Sequence, residues 1–176
     1  MAEPIRPTAA KTFGRTNWIY VPAIANTSAP TAAEINSASG LDITNMLYAD
    51  AFGGVTAEPT RVTAPSRVGD TESYDAFGRT TYGIEDLVYS FDPQAAGGAD
   101  GKKAKEKFAE GTTGYLVKRT NVAKATTPAA GQFVSVYPVV MGAQLEVETG
   151  DGESAESAIR QPVSVTNQPK LNVAIV

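Results

Sequence analysis

The chain has 176 residues, a net charge of −4 and a hydrophobic fraction of 42%, a size that suits one domain or one domain with extensions. It contains no His and no Cys, which excludes a Ser-His-Asp triad, a thiolate nucleophile, a Cys/His zinc centre, an iron–sulfur cluster and a disulfide framework. The slight acidity speaks against binding nucleic acid by neutralising its phosphates, and no run of about 18 apolar residues is available to cross a membrane as a helix.

The apolar fraction is also soft. Alanine supplies 27 residues, and Leu, Ile, Val and Phe together come to 36, close to the composition at which chains stop folding alone. With so small a net charge, self-repulsion gives no reason for an open chain. The expectation is a protein that borrows apolar burial from neighbouring copies.

Val and Ile number 24 against 6 Leu, which favours strands. Residues 1–15 are polar and Pro-rich, lack the apolar stretch of a secretory signal, and are expected to form an arm that orders against a partner. Residues 17–24 (NWIYVPAI) read as the first strand, ended by Pro22. Thr31 followed by Glu34 is a capping box that predicts a short helix stopped by Gly40. Residues 41–50 (LDITNMLYAD) alternate, with Leu41, Ile43 and Leu47 on one face and Asp42, Thr44 and Asp50 on the other, as in a half-buried strand.

Residues 51–80 carry few large aliphatics and read as one long excursion, of the kind that is functional when it is real. Its two ends share an Asp-Ala-Phe-Gly sequence, at 50–53 and 75–78. Residues 81–91 read as a strand, and 102–110 as the main helix, with Ala104 and Phe108 inward and Lys102, Lys103, Lys105 and Lys107 outward. Residues 115–121 and 132–141 are strands, and 142–149 continues the second, with Leu145 and Val147 opposite Gln144, Glu146 and Glu148. Residues 150–157 (GDGESAES) form an acidic hairpin tip, and 159–165 and 171–176 are closing strands. The fold class is mainly β with one flanking helix.

No catalytic set emerges from these elements. The glycine-rich turn GGADGKK at 97–103 has the position of a phosphate loop but lacks a glycine at Ala96 and a hydroxyl at Lys103. Asp151, Glu153 and Glu156 lack the alternating register of a calcium loop. Glu85 and Asp86 would point to opposite faces of a strand and so could not share a proton. What stands out is that two strands, 41–50 and 143–149, each carry aliphatics on one face and carboxylates or small polar groups on the other. Bulk water at an outer surface explains that pattern, and so does an enclosed aqueous channel.

The phrases NWIYVPAIANTSAPTAAEINSASGLDIT, YGIEDLVYSFDPQ, KKAKEKFAEGTTGYLVKR and VYPVVMGAQLEVETG, in that order, resemble the major tail tube proteins of long, non-contractile phage tails (siphophages), above all of phages that infect actinobacteria. The likeness runs from about Asn17 onward. It implies a tail tube domain over 16–176 with a β-sandwich or barrel-like fold. It further implies a virion protein, assembled in the host cytoplasm, that forms hexameric rings with a continuous inner barrel. The rings would stack around a tape-measure protein, meet tail terminator and distal tail proteins, and pass double-stranded DNA without binding it. About 24 inner strands, tilted about 40°, would give a backbone diameter of about 45–50 Å. No enzyme activity, cofactor or metal is implied. On this reading Asp42, Thr44, Asp50, Gln144, Glu146 and Glu148 line the lumen. Arg61, Arg67, Asp70, Tyr74, Phe77 and Arg79, in the excursion, meet neighbouring subunits. The competing class, a carbohydrate- or surface-binding β-sandwich, would need a solvent-facing aromatic platform, for which Trp18 and Tyr20 are the nearest candidates.

Overall fold

Strand β1 (Thr16–Val21) is buried along almost its whole length, including Trp18 and Tyr20. An unbroken apolar run is the signature of a strand covered on both faces, and it removes both rings from service as a surface platform. The computed structural model describes residues 12–49, 52 and 54–176. It is mainly β, with 42% strand and 9% helix, and it divides into two compact units.

The first unit holds residues up to 47 together with 113–139 and 169–176. Here β1 pairs antiparallel with β6 (Thr113–Thr120) on one side and with the two-residue β2 (Leu41–Asp42) on the other. Next to β6 lies β7 (Phe133–Met141), which also pairs with β11 (Lys170–Ala174). Ile19, Val21, Ile24, Ile35, Val117, Val134, Val136 and Ile175 form its core. The predicted capping box is present: Glu34 N–H donates to Thr31 Oγ1 at 3.1 Å, and Thr31 N–H donates back to Glu34 Oε2 at 2.8 Å. The helix it starts, α1 (Ala32–Ile35), is a single turn, because Asn36 rather than Gly40 ends it and donates its amide to Ala32 O at 2.8 Å.

The second unit holds residues 48–112 and 140–168. Its sheet has the order β5-β9-β8, from β5 (Leu87–Ser90), β8 (Leu145–Thr149) and β9 (Glu156–Gln161). The main helix, α2 (Asp100–Lys107), packs there with Ala104 and the following Phe108 buried, as the i, i+4 spacing predicts. Phe108 meets the Tyr89 ring edge-on at 5.7 Å. A short strand, β10 (Val163–Val165), follows β9.

Three expectations change. The alternation at 41–50 makes a strand only over Leu41–Asp42. Asp42 Oδ1 accepts the Thr44 N–H at 2.9 Å, and the N–H groups of Met46 and Leu47 both donate to Ile43 O, so the chain turns instead of extending. The strand expected at 81–91 is two strands in different sheets, interrupted at Glu85 and Asp86. Likewise 142–149 does not continue β7. Gly142 N–H donates to Pro162 O, and a Cβ on Gly142 would sit 2.8 Å from the Pro162 ring, so this glycine permits the close approach at which the chain leaves β7 for β8.

The excursion at 51–80 is not irregular. It is a two-stranded ribbon, β3 (Val55–Thr63) and β4 (Asp75–Ile84), paired from Val55↔Ile84 to Thr63↔Asp75 with a bulge between Pro59 and Arg61. Of the two Asp-Ala-Phe-Gly copies, the second lies in β4, while Asp50, Ala51 and Gly53 of the first lie outside the described residues, as do residues 1–11 of the expected arm. Residues 12–15 are exposed and make one turn, with Arg15 N–H donating to Thr12 O.

Candidate assembly surfaces

The ribbon β3–β4 presents apolar side chains to solvent. Val62, Tyr74 and Phe77 are 45%, 60% and 74% exposed, and Val68 at the tip is fully exposed. Arg61 pairs across the ribbon with Phe77, its guanidinium 5.8 Å from the ring centroid. The tip closes through Ala64 N–H donating to Tyr74 O, and Asp70 Oδ2 accepts the Arg67 N–H at 2.7 Å. Arg79 lies exposed on β4. All six inter-subunit candidates therefore lie on one element. A two-stranded ribbon is marginal on its own, and exposed aromatic and aliphatic groups along it are the mark of a contact surface.

The lumen candidates fall in two groups. In the first unit, exposed Asp42 and half-buried Thr44 share the turn after β2, where Thr44 Oγ1 also accepts the Trp18 N–H at 2.9 Å. Asp50 lies outside the described residues. In the second unit, Glu146 and Glu148 are exposed on β8, whereas Gln144 is half-buried and donates its amide to the carbonyls of Lys105 and Phe108 at 2.8 and 3.0 Å. Gln144 thus ties down the end of α2. Glu146 accepts a salt bridge from Lys105 at 2.8 Å, and Lys105 also sits 4.1 Å from the centre of the Phe91 ring.

Cross-strand register explains that pairing. Glu146 stands opposite Ile159, which stands opposite Tyr89, so all three share the face on which Phe108 packs. Leu145, expected to be inward, is 62% exposed on the other face. The acidic side of β8 and the helix therefore share one side of this sheet. A channel lined by Glu146 would therefore be bordered by Lys105 as well.

The acidic tip at 150–157 is a 3-10 turn (Gly152–Ser154) between β8 and β9, with Asp151 and Glu153 exposed and Glu156 accepting the Tyr48 hydroxyl at 2.7 Å. Desolvation, together with the bond to Glu156, pushes the Tyr48 hydroxyl up to about 12. Among the described residues no group of three or more acidic side chains is arranged to hold a metal ion, and no helix is long and apolar enough to cross a membrane.

Sequence reasoning missed a buried polar group that organises the second unit. Gln161 is fully buried. Its amide donates to Phe108 O at 2.6 Å and Gly142 O at 2.8 Å, and its Oε1 accepts the Tyr89 hydroxyl at 2.8 Å. Its partners lie 19 to 72 residues away, so no local pattern marks it. The polar position in the otherwise alternating stretch at 159–165 is the one trace it leaves.

No curated protein matches the chain. A family model described as phage tail tube protein matches residues 4–176.

Proposed function

The chain belongs to the phage tail tube protein family, and from that premise we propose that it polymerises as stacked hexameric rings into the tube of a long, non-contractile tail, of a phage infecting actinobacteria, through which DNA is ejected. It is a structural protein of the phage tail. Assembly takes place in the host cytoplasm around a tape-measure protein, and tail terminator and distal tail proteins close the ends.

The observation that carries this reading is the ribbon β3–β4. Its exposed Tyr74, Phe77, Val62 and Val68 need a partner, and a second copy supplies one. Arg61, Arg67, Asp70 and Arg79 give that contact its polar rim. Electron microscopy of the purified protein tests it. Rings or tubes are expected, and monodisperse single chains at high concentration would overturn it. Replacing residues 60–79 by Asn-Gly joins the register pair Pro59↔Thr80 through a two-residue turn. That variant should fold and remain unassembled.

The channel face is assigned to Asp42, Thr44 and Asp50 with Gln144, Glu146 and Glu148. Carboxylates there repel phosphates, and a conduit that retained DNA through cationic contacts would fail. α2 then borders the channel, with Lys105 neutralised by Glu146. Glu148→Lys adds a cation to this face without breaking that salt bridge. It should slow DNA ejection at low salt, with recovery as salt screens the contact. Ejection at the wild-type rate in low salt would remove Glu148 from the lumen.

A further inference from the structure

The first unit contains a buried cation that, among the described residues, makes no ion pair. Arg119 is 1% exposed. Its guanidinium donates to three neutral acceptors, Gln132 Oε1, Asn17 Oδ1 and Thr126 O. Its Nε–H is buried and makes no hydrogen bond, and among the described residues no carboxylate forms an ion pair with it. Burial pushes its pKa down, opposed by the charge of Asp42, but Asp42 is exposed and spends an oxygen on the Thr44 N–H. A buried charge held by dipoles alone is incompletely compensated.

Arg119 lines an open cavity of about 330 Å³. Asn17, Asn36, Asp42 and Lys124 contribute to its lining, and Ile19 and Ile35 form part of its wall. Two cations against one carboxylate make this lining positive in a chain whose net charge is −4. Lys124 is exposed, and among the described residues its ammonium bonds only to the neutral Asn45 Oδ1. The cavity has the chemistry of a carboxylate acceptor: a guanidinium at its wall and a second cation within reach.

We propose that this cavity receives the Glu72 carboxylate from the ribbon tip of a second copy of the chain. The partner's identity rests on the assembly reading above; the cavity's preference for a carboxylate does not. Glu72 is chosen for reach and availability. Strands of nine and ten residues carry the tip about 30 Å from the ribbon's base. At that tip Asp70 is engaged by the Arg67 N–H, whereas Glu72 is exposed and, among the described residues, unpaired. Among the other exposed acids, Asp151 and Glu153 sit at a three-residue turn with little reach.

The absence of cysteine makes the test direct. Glu72→Cys and Lys124→Cys chains are mixed, assembled and oxidised. A 72–124 disulfide dimer in the assembled fraction, absent from unassembled chains, is the expected result. Charge reversal adds a readout that leaves Arg119 intact. Glu72→Lys alone and Lys124→Glu alone should each raise the concentration needed for assembly by about tenfold or more, and the two together should restore it. Tubes that form without the 72–124 disulfide would overturn the pocket assignment alone. A Glu153→Cys chain that links to Lys124→Cys in its place would do the same and name the acidic turn as occupant. Wild-type chains that form no rings or tubes would overturn the assembly reading and this partner with it.

Discussion

Gln161 joins β9, the end of α2 and the Gly142 corner through three hydrogen bonds from one side chain. Gln161→Leu keeps the volume but leaves two carbonyls and the Tyr89 hydroxyl without that partner, so we expect a loss of about 2–4 kcal/mol in urea unfolding. A loss under about 0.5 kcal/mol would mean that water or Gln144 replaces it. Tyr48 supplies a pH signature. Its hydroxyl ionises near 10.0 when unfolded and at about 12 when folded. Above pH 10 the unfolded chain therefore releases its proton first, and this contribution is lost between those values. Stability should fall over that window, and Tyr48→Phe should fall less steeply; equal slopes would refute the assignment. At this scale legibility follows sequence distance. The Thr31–Glu34 box spans three residues and could be read directly, whereas Gln161 and Arg119 take their roles from partners that only the fold brings near.

Among the elements, α2 and the buried strands β1, β6 and β7 were legible because each shows one face, or both, to a core. Phe108→Ala, fully buried against Tyr89, should cost about 3–5 kcal/mol in thermal or urea unfolding; a cost near 1 kcal/mol would mean the helix does not depend on that contact. The ribbon β3–β4 is not legible as strands in the sequence because alternation marks a strand only when one face is buried, and the ribbon is exposed on both. The opposite error occurred at 41–50, where a turn stabilised by Asp42 and Thr44 imitates alternation. The breaks at Glu85–Asp86 and Gly142 were illegible for a third reason: apolar residues continue on either side, and only pairing partners show that the chain has changed sheets.

For the molecule as a whole, the buried apolar residues lie in the two units, and part of the apolar content is instead exposed on the ribbon. On β8, polar alternation picks out the exposed Glu146 and Glu148, but alternation alone does not reveal that this strand shares its acidic face with α2. The division into two units left no mark in composition, since neither unit is a continuous stretch of chain. That interleaving has a consequence in time. Ile175 is part of the first unit's core, and its N–H donates to Gln132 O, while Val176 bonds to Pro30 and Ala32. During synthesis, at about 5–20 residues per second, the ribbon can zip as soon as residue 84 has left the ribosome, because its pairing is local. The first unit has to wait for residue 175. A chain halted at residue 168 should stay sensitive to protease across 16–47. The exposed apolar face of the ribbon is thus ready before the body that carries it, and the strand at 170–174 sets the moment at which the first unit can close.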